Sequence, residues 1–381
     1  DLIKNSNKTV FITTYGLMRE DIDYYEQINY HAVILDEAQN IKNPHAGITK
    51  SSKRLKSFVK FALTGTPLEN SATELWSIFD FIMPGYLSKF DKFSSKYKVH
   101  EFDDKTNELL DNLRKQISPF ILRRKKNDVI KELPPKIENN IFIDLSDEQK
   151  KIYVAELDKV KSSIDEAMKD GGMSKVRFMI LPLLTKLRQI CIDPRIVYTD
   201  YDGGSNKIER FLSIVEELVN NNHKILVFTS FRTALNIVKV ELESIGIKCY
   251  IMDGSVSSKE RMERVNSFNN SDDVKVFLIM LKSGGTGLNL ASSDIVIHLD
   301  LWWNPQAENQ ATDRAHRIGQ TNTVEVIRLV SKGTIEEKVL DLQEKKKELS
   351  EKLIDAESLD QNLIGELTEK DIKELLAYEN K

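Results

Sequence analysis

Short apolar runs, each the length of a strand, alternate with stretches of helical periodicity along most of this chain. The runs are Val10–Thr13, Ala32–Leu35, Val59–Leu63, Ile225–Phe228, Cys249–Met252, Val276–Leu281, Ile295–Leu299 and Val324–Leu329. Continuous apolar strands between helices imply parallel sheets covered on both faces, an α/β fold. The first three runs and the last five form two clusters, which implies two α/β lobes. Residues 70–200, between them, carry helical periodicity, and 146–192 reads as long helices. One apolar segment there, Asn140–Leu145, follows Pro134-Pro135 and reads as a strand returning to the first cluster. Asp202-Gly203-Gly204-Ser205 marks a linker, and the chain beyond Gly333-Thr334 turns helical and charged.

Composition excludes several classes. With 40% apolar residues in 381, general disorder is excluded. The run Val276–Leu281 is far short of the roughly 18 apolar residues of a membrane span. Two cysteines, neither in a Cys-x-x-Cys pattern, argue against a disulfide scaffold or a structural zinc site and fit a reducing, intracellular compartment, whether cytoplasm, nucleoid or nucleus. The net charge of −4 is unevenly placed: residues 335–381 hold 14 acids and 8 bases, or −6, which leaves the body at +2. A mildly basic body permits contact with nucleic acid.

Four segments could carry chemistry. Ala32–Leu35 ends in Asp36-Glu37-Ala38-Gln39, which places two acids at the carboxyl end of a buried strand, where α/β sheets bind ligands. One carboxylate there suits a magnesium ion held through water, and its neighbour suits orienting or deprotonating an attacking water. The same pattern also fits two solvated acids. Thr64-Gly65-Thr66-Pro67 follows the next run and sets two hydroxyls at the same sheet edge, or else caps an ordinary turn. Ser283-Gly284-Gly285-Thr286-Gly287 exposes backbone N–H groups that suit a phosphate, although structural turns share this composition. Asn304-Pro305 starts a helix that Gly319 would end, so Gln310, Arg314 and Arg317 fall at i, i+4 and i+7 on one face. Such a face can clamp a phosphoryl group as it gains charge, or be a solvated basic face.

Taken in order, these segments resemble the Swi/Snf-type, helicase-like ATPases of helicase superfamily two. Thr13-Thr14-Tyr15 resembles motif Ib, Asp36-Glu37-Ala38-Gln39 motif II, and Thr64-Gly65-Thr66-Pro67 motif III. Phe228-Thr229-Ser230-Phe231 resembles motif IV, and Ser283 to Leu290 motif V. Gln310 to Gln320 matches motif VI nearly letter for letter. Leu122-Arg123-Arg124-Lys125 with Leu133-Pro134-Pro135-Lys136, Leu187-Arg188-Gln189-Ile190-Cys191, and Asp300 to Pro305 are blocks that set this family apart from strand-separating helicases. The resemblance spans residues 9–335.

It implies two RecA-like lobes with ATP in the cleft between them. Residues 1–145 would be the remainder of the first lobe, with a helical protrusion at about 70–130; 146–204 a helical insertion and linker; 205–335 the second lobe; and 336–381 a helical brace, with Leu340, Leu349, Leu353 and Ile354 on its apolar stripe. Glu37 would be the catalytic base, and Arg314 and Arg317 the arginines reaching the nucleotide. Asp36 would hold magnesium, and Gln39, Gly285, Gly287 and Gln310 would lie around ATP. Thr64 and Thr66 would couple the nucleotide to DNA. Thr14, Ser230, Thr286 and Asn289 would touch backbone phosphates of duplex DNA, with little sequence preference. Trp303 joins this coupling set, although Trp302 and Trp303 read mainly as packing residues. Lys53, Arg54, Lys56 and Lys60, and separately Arg123 to Lys126, are basic clusters that fit either DNA contact or a solvated face.

The sequence departs from the family pattern in two places. Gln39 stands where His is frequent, and no Gly-Lys-Ser/Thr phosphate loop occurs. With Asp1 as its first residue, the chain is expected to be a truncated piece that hydrolyses ATP poorly or not at all alone. The function implied is an ATP-dependent translocase on duplex DNA that remodels protein–DNA complexes, with a DNA-bound protein open as a further partner and no membrane role. The alternatives are a strand-separating helicase and a non-catalytic DNA-binding or scaffold module.

Overall fold

The computed structural model describes residues 8–65, 72–97, 104–122, 124, 126, 130, 132–281, 288–303 and 305–352. They fall into two compact units, Asp1–Leu122 and Arg123–Glu351. Both are α/β with parallel strands, as the alternating pattern predicts.

The first unit opens with two short helices, α1 (Tyr15–Glu20) and α2 (Ile22–Tyr25), and a strand, β1 (Asn29–Leu35). Helix α3 (Gly47–Arg54) crosses over to β2 (Lys56–Ala62), which pairs parallel with β1. Three helices follow: α4 (Ala72–Ile82), α5 (Phe90–Tyr97) and α6 (Asp104–Ile117). Their apolar faces make a small core of their own from Leu75, Trp76, Phe79, Phe93, Leu113 and Ile117. A second core, Leu35, Ala38, Ile41, Ile78 and Phe81, fixes α4 against the exits of the strands.

Val10–Thr13 does not form a strand. Val10 is 75% and Ile12 95% exposed, and no described strand lies beside the segment to accept its hydrogen bonds. Strand propensity without a pairing partner leaves the backbone to water.

The second unit holds a six-stranded sheet of β3 (Lys136–Ile143), β4 (Ile225–Thr229), β5 (Cys249–Met252), β6 (Val276–Met280), β7 (Ile295–His298) and β8 (Val324–Ser331), in the order β3-β8-β7-β4-β6-β5. The helices are α7 (Asp147–Ile192), α8 (Asn206–Asn220), α9 (Arg232–Ser244), α10 (Ser258–Asn270), α11 (Pro305–Thr312) and α12 (Ile335–Lys352). Every residue of β4 is buried. Ile225 and Val227 join one core, while Leu226 and Phe228 join the core on the opposite face. A parallel strand covered on both sides requires this continuous apolar run.

The strand expected to return to the first cluster instead joins the second sheet: β3 pairs parallel with β8 over its full length. Its side chains explain the choice. Glu138 pairs with Arg328 of β8 at 2.8 Å, and Asn139 donates to Glu325 at 2.7 Å. A strand this polar also suits the sheet edge it occupies. The first unit accordingly ends at Leu122, ahead of the expected boundary near 145.

Residues 147–192 form one 46-residue helix, capped by Ser146, whose hydroxyl accepts from the Gln149 amide. It belongs to the second unit, where Leu184, Leu187 and Ile190 are fully buried and Ile192 joins a core of the sheet. Glu156 on this helix meets Lys159, Lys186 and Tyr198. Burial opposes its charge, but these three partners hold its carboxyl down to about 2. Glu138 is likewise opposed by burial and held at about 2 by Lys136 and Arg328. A depressed carboxyl stabilises the fold fully above its unfolded value, 4.5 for glutamate, and loses that contribution as pH falls through about 2. Circular dichroism is therefore expected to show stability falling between pH 4.5 and 2, and Glu156→Gln to flatten that fall; an unchanged acid limb would contradict the pairing.

The start of the C-terminal helix docks on the second unit. Ile335 and Val339 are each 1% exposed, and the Ile335 amide donates to the Tyr153 hydroxyl at 2.8 Å. Leu349 lies where side chains are not described, and Leu353 and Ile354 lie outside the described residues. No helix among the described residues is long and apolar enough to cross a membrane.

Candidate functional site

In the first unit the expected residues Asp36, Glu37, Gln39 and Thr64 lie where β1 and β2 end. Beyond Leu35 the chain enters a tight turn, and Glu37 takes φ +48°, the left-handed region that side chains other than glycine rarely occupy. Such a conformation costs on the order of 1–3 kcal/mol and persists only where neighbours over-determine it. Here the Glu37 amide donates to Asp36 Oδ1 (3.0 Å), Asn40 donates to the Glu37 carbonyl (2.9 Å), and the Ala38 amide donates to the Leu63 carbonyl (2.8 Å). The turn stands the two carboxylates at the carboxyl edge of the parallel pair.

A side-chain chain then crosses from one strand exit to the next. Gln39 Nε2 donates to Glu37 Oε2 at 2.7 Å, and Thr64 Oγ1 donates to Gln39 Oε1 at 2.9 Å. A glutamine fits this position because its amide donates on one side and accepts on the other. Tyr15, absent from the expected site, donates its hydroxyl to the Asp36 carbonyl at 2.8 Å. Burial, and then the charges of Asp36 and Glu37, push its pKa up to about 12, so it stays a donor. Thr14 caps α1 by accepting from the Leu17 amide at 3.2 Å.

In the second unit Gln310 lies on α11, but that helix ends at Thr312. Arg314 and Arg317 sit in the turns beyond it, so the expected single helical face of Gln310, Arg314 and Arg317 is not formed. Past Thr312 the Arg314 and Ala315 amides bond to the third residue back, and tertiary bonds hold the turn that results. The Arg314 carbonyl accepts from the Leu290 amide at 3.1 Å, and Gln320 Nε2 reaches the Ala291 and Ser293 carbonyls at 3.1 and 2.7 Å. Lys126 ties the same turn from the other side, pairing with Asp313 at 2.8 Å and donating to the His316 carbonyl. His316 Nε2 meets the Pro134 carbonyl at 2.8 Å. Desolvation lowers the His316 pKa, so the ring is held neutral and donates. The arginine-bearing loop is thus fixed by Lys126, Pro134 and Gln320 rather than by helical pitch. Arg317 is exposed and Arg314 half-buried.

A family model described as "SNF2-related domain" matches residues 3–196, and one described as "Helicase conserved C-terminal domain" matches residues 206–319. The chain belongs to the SNF2 family. Among SNF2 relatives, a Mycoplasma pneumoniae chain described as an uncharacterized ATP-dependent helicase is 39% identical over 354 residues, covering 93% of this chain and 33% of that one. The human TATA-binding protein-associated factor 172 is 31% identical over 92% of this chain and 22% of its own. The solved SWI2/SNF2 ATPase core of Sulfolobus solfataricus, in complex with double-stranded DNA, is 36% identical with a TM-score of 0.54, covering 96% of this chain and 77% of that one. The chain spans about a third of the length of the first of these curated relatives.

Of the SNF2 residues expected from sequence, the structure joins Glu37, Gln39 and Thr64, with Asp36 beside them. Ser230 and Trp303 also come together, through Arg188, which lies 3.4 Å from the Ser230 hydroxyl and 5.9 Å from the Trp303 ring. Asn289 is exposed, and its carbonyl accepts from Asn269 at 2.9 Å. Thr66, Gly285, Thr286 and Gly287 lie outside the described residues. The first basic cluster is largely engaged internally: Lys53 pairs with Asp80 (2.6 Å), Arg54 with Asp23 and Glu26, and Lys60 lies over the Phe81 ring.

Proposed function

We propose that this chain forms part of an ATP-driven motor that moves along duplex DNA and remodels protein–DNA complexes. The observation that carries the reading is the link from Glu37 through Gln39 to Thr64, which joins a candidate catalytic carboxylate to the neighbouring strand exit. In this reading Glu37 orients and deprotonates the attacking water. Arg314 and Arg317 stabilise charge on the transferred phosphoryl oxygens, with Gln310, Gly285 and Gly287 near the nucleotide. Asp36 offers a hard, exposed oxygen of the kind magnesium takes, and the ion when bound neutralises phosphate charge.

Movement of the Gln39–Thr64 pair then passes the state of the nucleotide to Thr66 and the DNA-contacting residues. Thr14, Ser230, Thr286 and Asn289 grip backbone phosphates, with Trp303 behind Ser230. The DNA-bound structural relative supports duplex DNA as the track. Relatives named as TATA-binding protein-associated factors support a DNA-bound protein as the object moved.

The first test is binding by the 381-residue chain to labelled duplexes of unrelated sequence. Comparable affinities are expected. Two neutralised phosphates alone would weaken binding about tenfold between about 50 and 200 mM salt. A strong preference for one sequence, or no binding, would contradict the reading.

A further inference from the structure

Arg188 is 4% exposed at its side chain, lies near the end of the long helix α7, and belongs to no catalytic or DNA-contacting set described above. Three rings surround its guanidinium: Phe231 at 5.3 Å, Trp302 at 5.6 Å and Trp303 at 5.9 Å. One terminal nitrogen reaches Asp300 Oδ2 at 2.7 Å, the Leu301 carbonyl at 2.5 Å and the Ser230 hydroxyl at 3.4 Å. Its Nε is buried and finds no acceptor among the described residues. The group is therefore held as much by stacking as by hydrogen bonds, a role for which a planar guanidinium is suited and an ammonium is not.

Asp300 completes the arrangement. Its side chain is fully buried, and its other oxygen accepts from the Thr229 hydroxyl at 2.6 Å and the Ser230 amide at 2.9 Å. A single Arg–Asp pair thus fixes three separate segments: the end of α7, the exit of β4 at Thr229–Phe231, and Leu301–Trp303 after β7. A buried pair of this kind is a weak source of stability but a strict source of geometry. Both polar groups of Ser230, hydroxyl and amide, are set by it.

We propose that Arg188 is a positioning residue for the duplex-DNA grip of the second unit, acting through Ser230 and the Trp302–Trp303 pair without touching DNA. This rests on the duplex-DNA reading of Ser230 given above. Because Arg188 is neutralised by Asp300 and enclosed by rings, it releases no counterion when DNA binds. It sets affinity and leaves the salt dependence alone. A direct phosphate contact would do the opposite, since losing one lowers the salt slope by about one.

The test is a double-mutant cycle on the 381-residue chain with a short fluorescein-labelled duplex, read by anisotropy across a salt series. The variants are Arg188→Lys, Ser230→Ala and the pair together, each checked by thermal melting. Arg188→Lys keeps the charge pair available and so protects the fold. Arg188→Lys is expected to bind about tenfold more weakly with an unchanged salt slope, and the double variant to bind no more weakly than the weaker single.

Parent-like affinity in Arg188→Lys overturns the proposal. So do additive losses, a salt slope reduced by about one, or affinities that merely follow the melting temperatures. If the parent chain itself does not bind duplex DNA, the duplex reading fails and this inference with it. Binding by the parent with no effect at Arg188 sinks the inference alone.

Discussion

Arg314→Ala is expected to lower DNA-stimulated ATP turnover by about 10³–10⁵, the usual worth of an arginine that meets transition-state charge on a phosphoryl group. The measurement requires a form of the protein that carries a Gly-Lys-Thr loop ahead of Val10, since no Gly-Lys-Ser/Thr occurs in these 381 residues. We expect the 381-residue chain alone to give no turnover above background. In the loop-bearing form, Arg314→Ala and Glu37→Gln should each abolish turnover while duplex binding persists, because neither is assigned to DNA. The Arg314 backbone is anchored by the Leu290 amide, so truncating its side chain leaves the loop in place. A loss of less than tenfold would remove Arg314 from the chemistry.

The second large effect is on stability. Lys207 and Glu336 form an ion pair with each side chain 1% exposed. Lys207 also donates to the Leu299 and Leu329 carbonyls at 3.3 and 3.1 Å, and Glu336 accepts from the Ser331 amide at 2.8 Å. The pair therefore fastens α12 and α8 to the exits of β7 and β8. Removing one partner strands a buried charge, which costs about 3–5 kcal/mol. Glu336→Ala should thus lower the melting temperature by about 6–20 °C at the usual 2–4 °C per kcal/mol for a domain of this size. Replacing both, as Lys207→Met with Glu336→Leu, should recover much of the loss. The orphaned Ser331 amide still costs about 1–3 kcal/mol, so recovery is incomplete. A single variant as stable as the parent would show that the pair is not buried as described.

A strand covered on both faces is legible because it demands a continuous apolar run: Ile225–Phe228 falls one residue short of the fully buried β4, and Cys249–Met252 matches the edge strand β5 to the residue although only Met252 is buried there. Partners were less legible. Nothing within Asn140–Leu145 says which sheet it joins; the complementary charges lie on β8, nearly two hundred residues away. The helix over Asn304–Gly319 failed for a related reason. Local periodicity continues past Thr312, but the Arg314 and Ala315 amides bond back only three residues, to the Ala311 and Thr312 carbonyls, and the turn so formed is held by Leu290, Gln320 and Lys126 through the carbonyls of residues 314–316.

The site divides along the same line. Glu37, Gln39 and Thr64 were visible because two short motifs each end a strand. Arg188 and Asp300 each lie in a family-like segment, yet 112 positions separate them, and no spacing rule pairs residues that far apart. Tyr15 lies within the first motif, and its contact with the Asp36 carbonyl crosses 21 positions.

The proposed motor travels along intact duplex. The most direct measurement is displacement of a third strand from a triple-helical block on duplex DNA by the loop-bearing form. Displacement is expected to require ATP and to be abolished by Glu37→Gln, with no separation of the two strands of a forked duplex. Strand separation at the fork, or turnover of ATP that leaves the third strand in place, would contradict it.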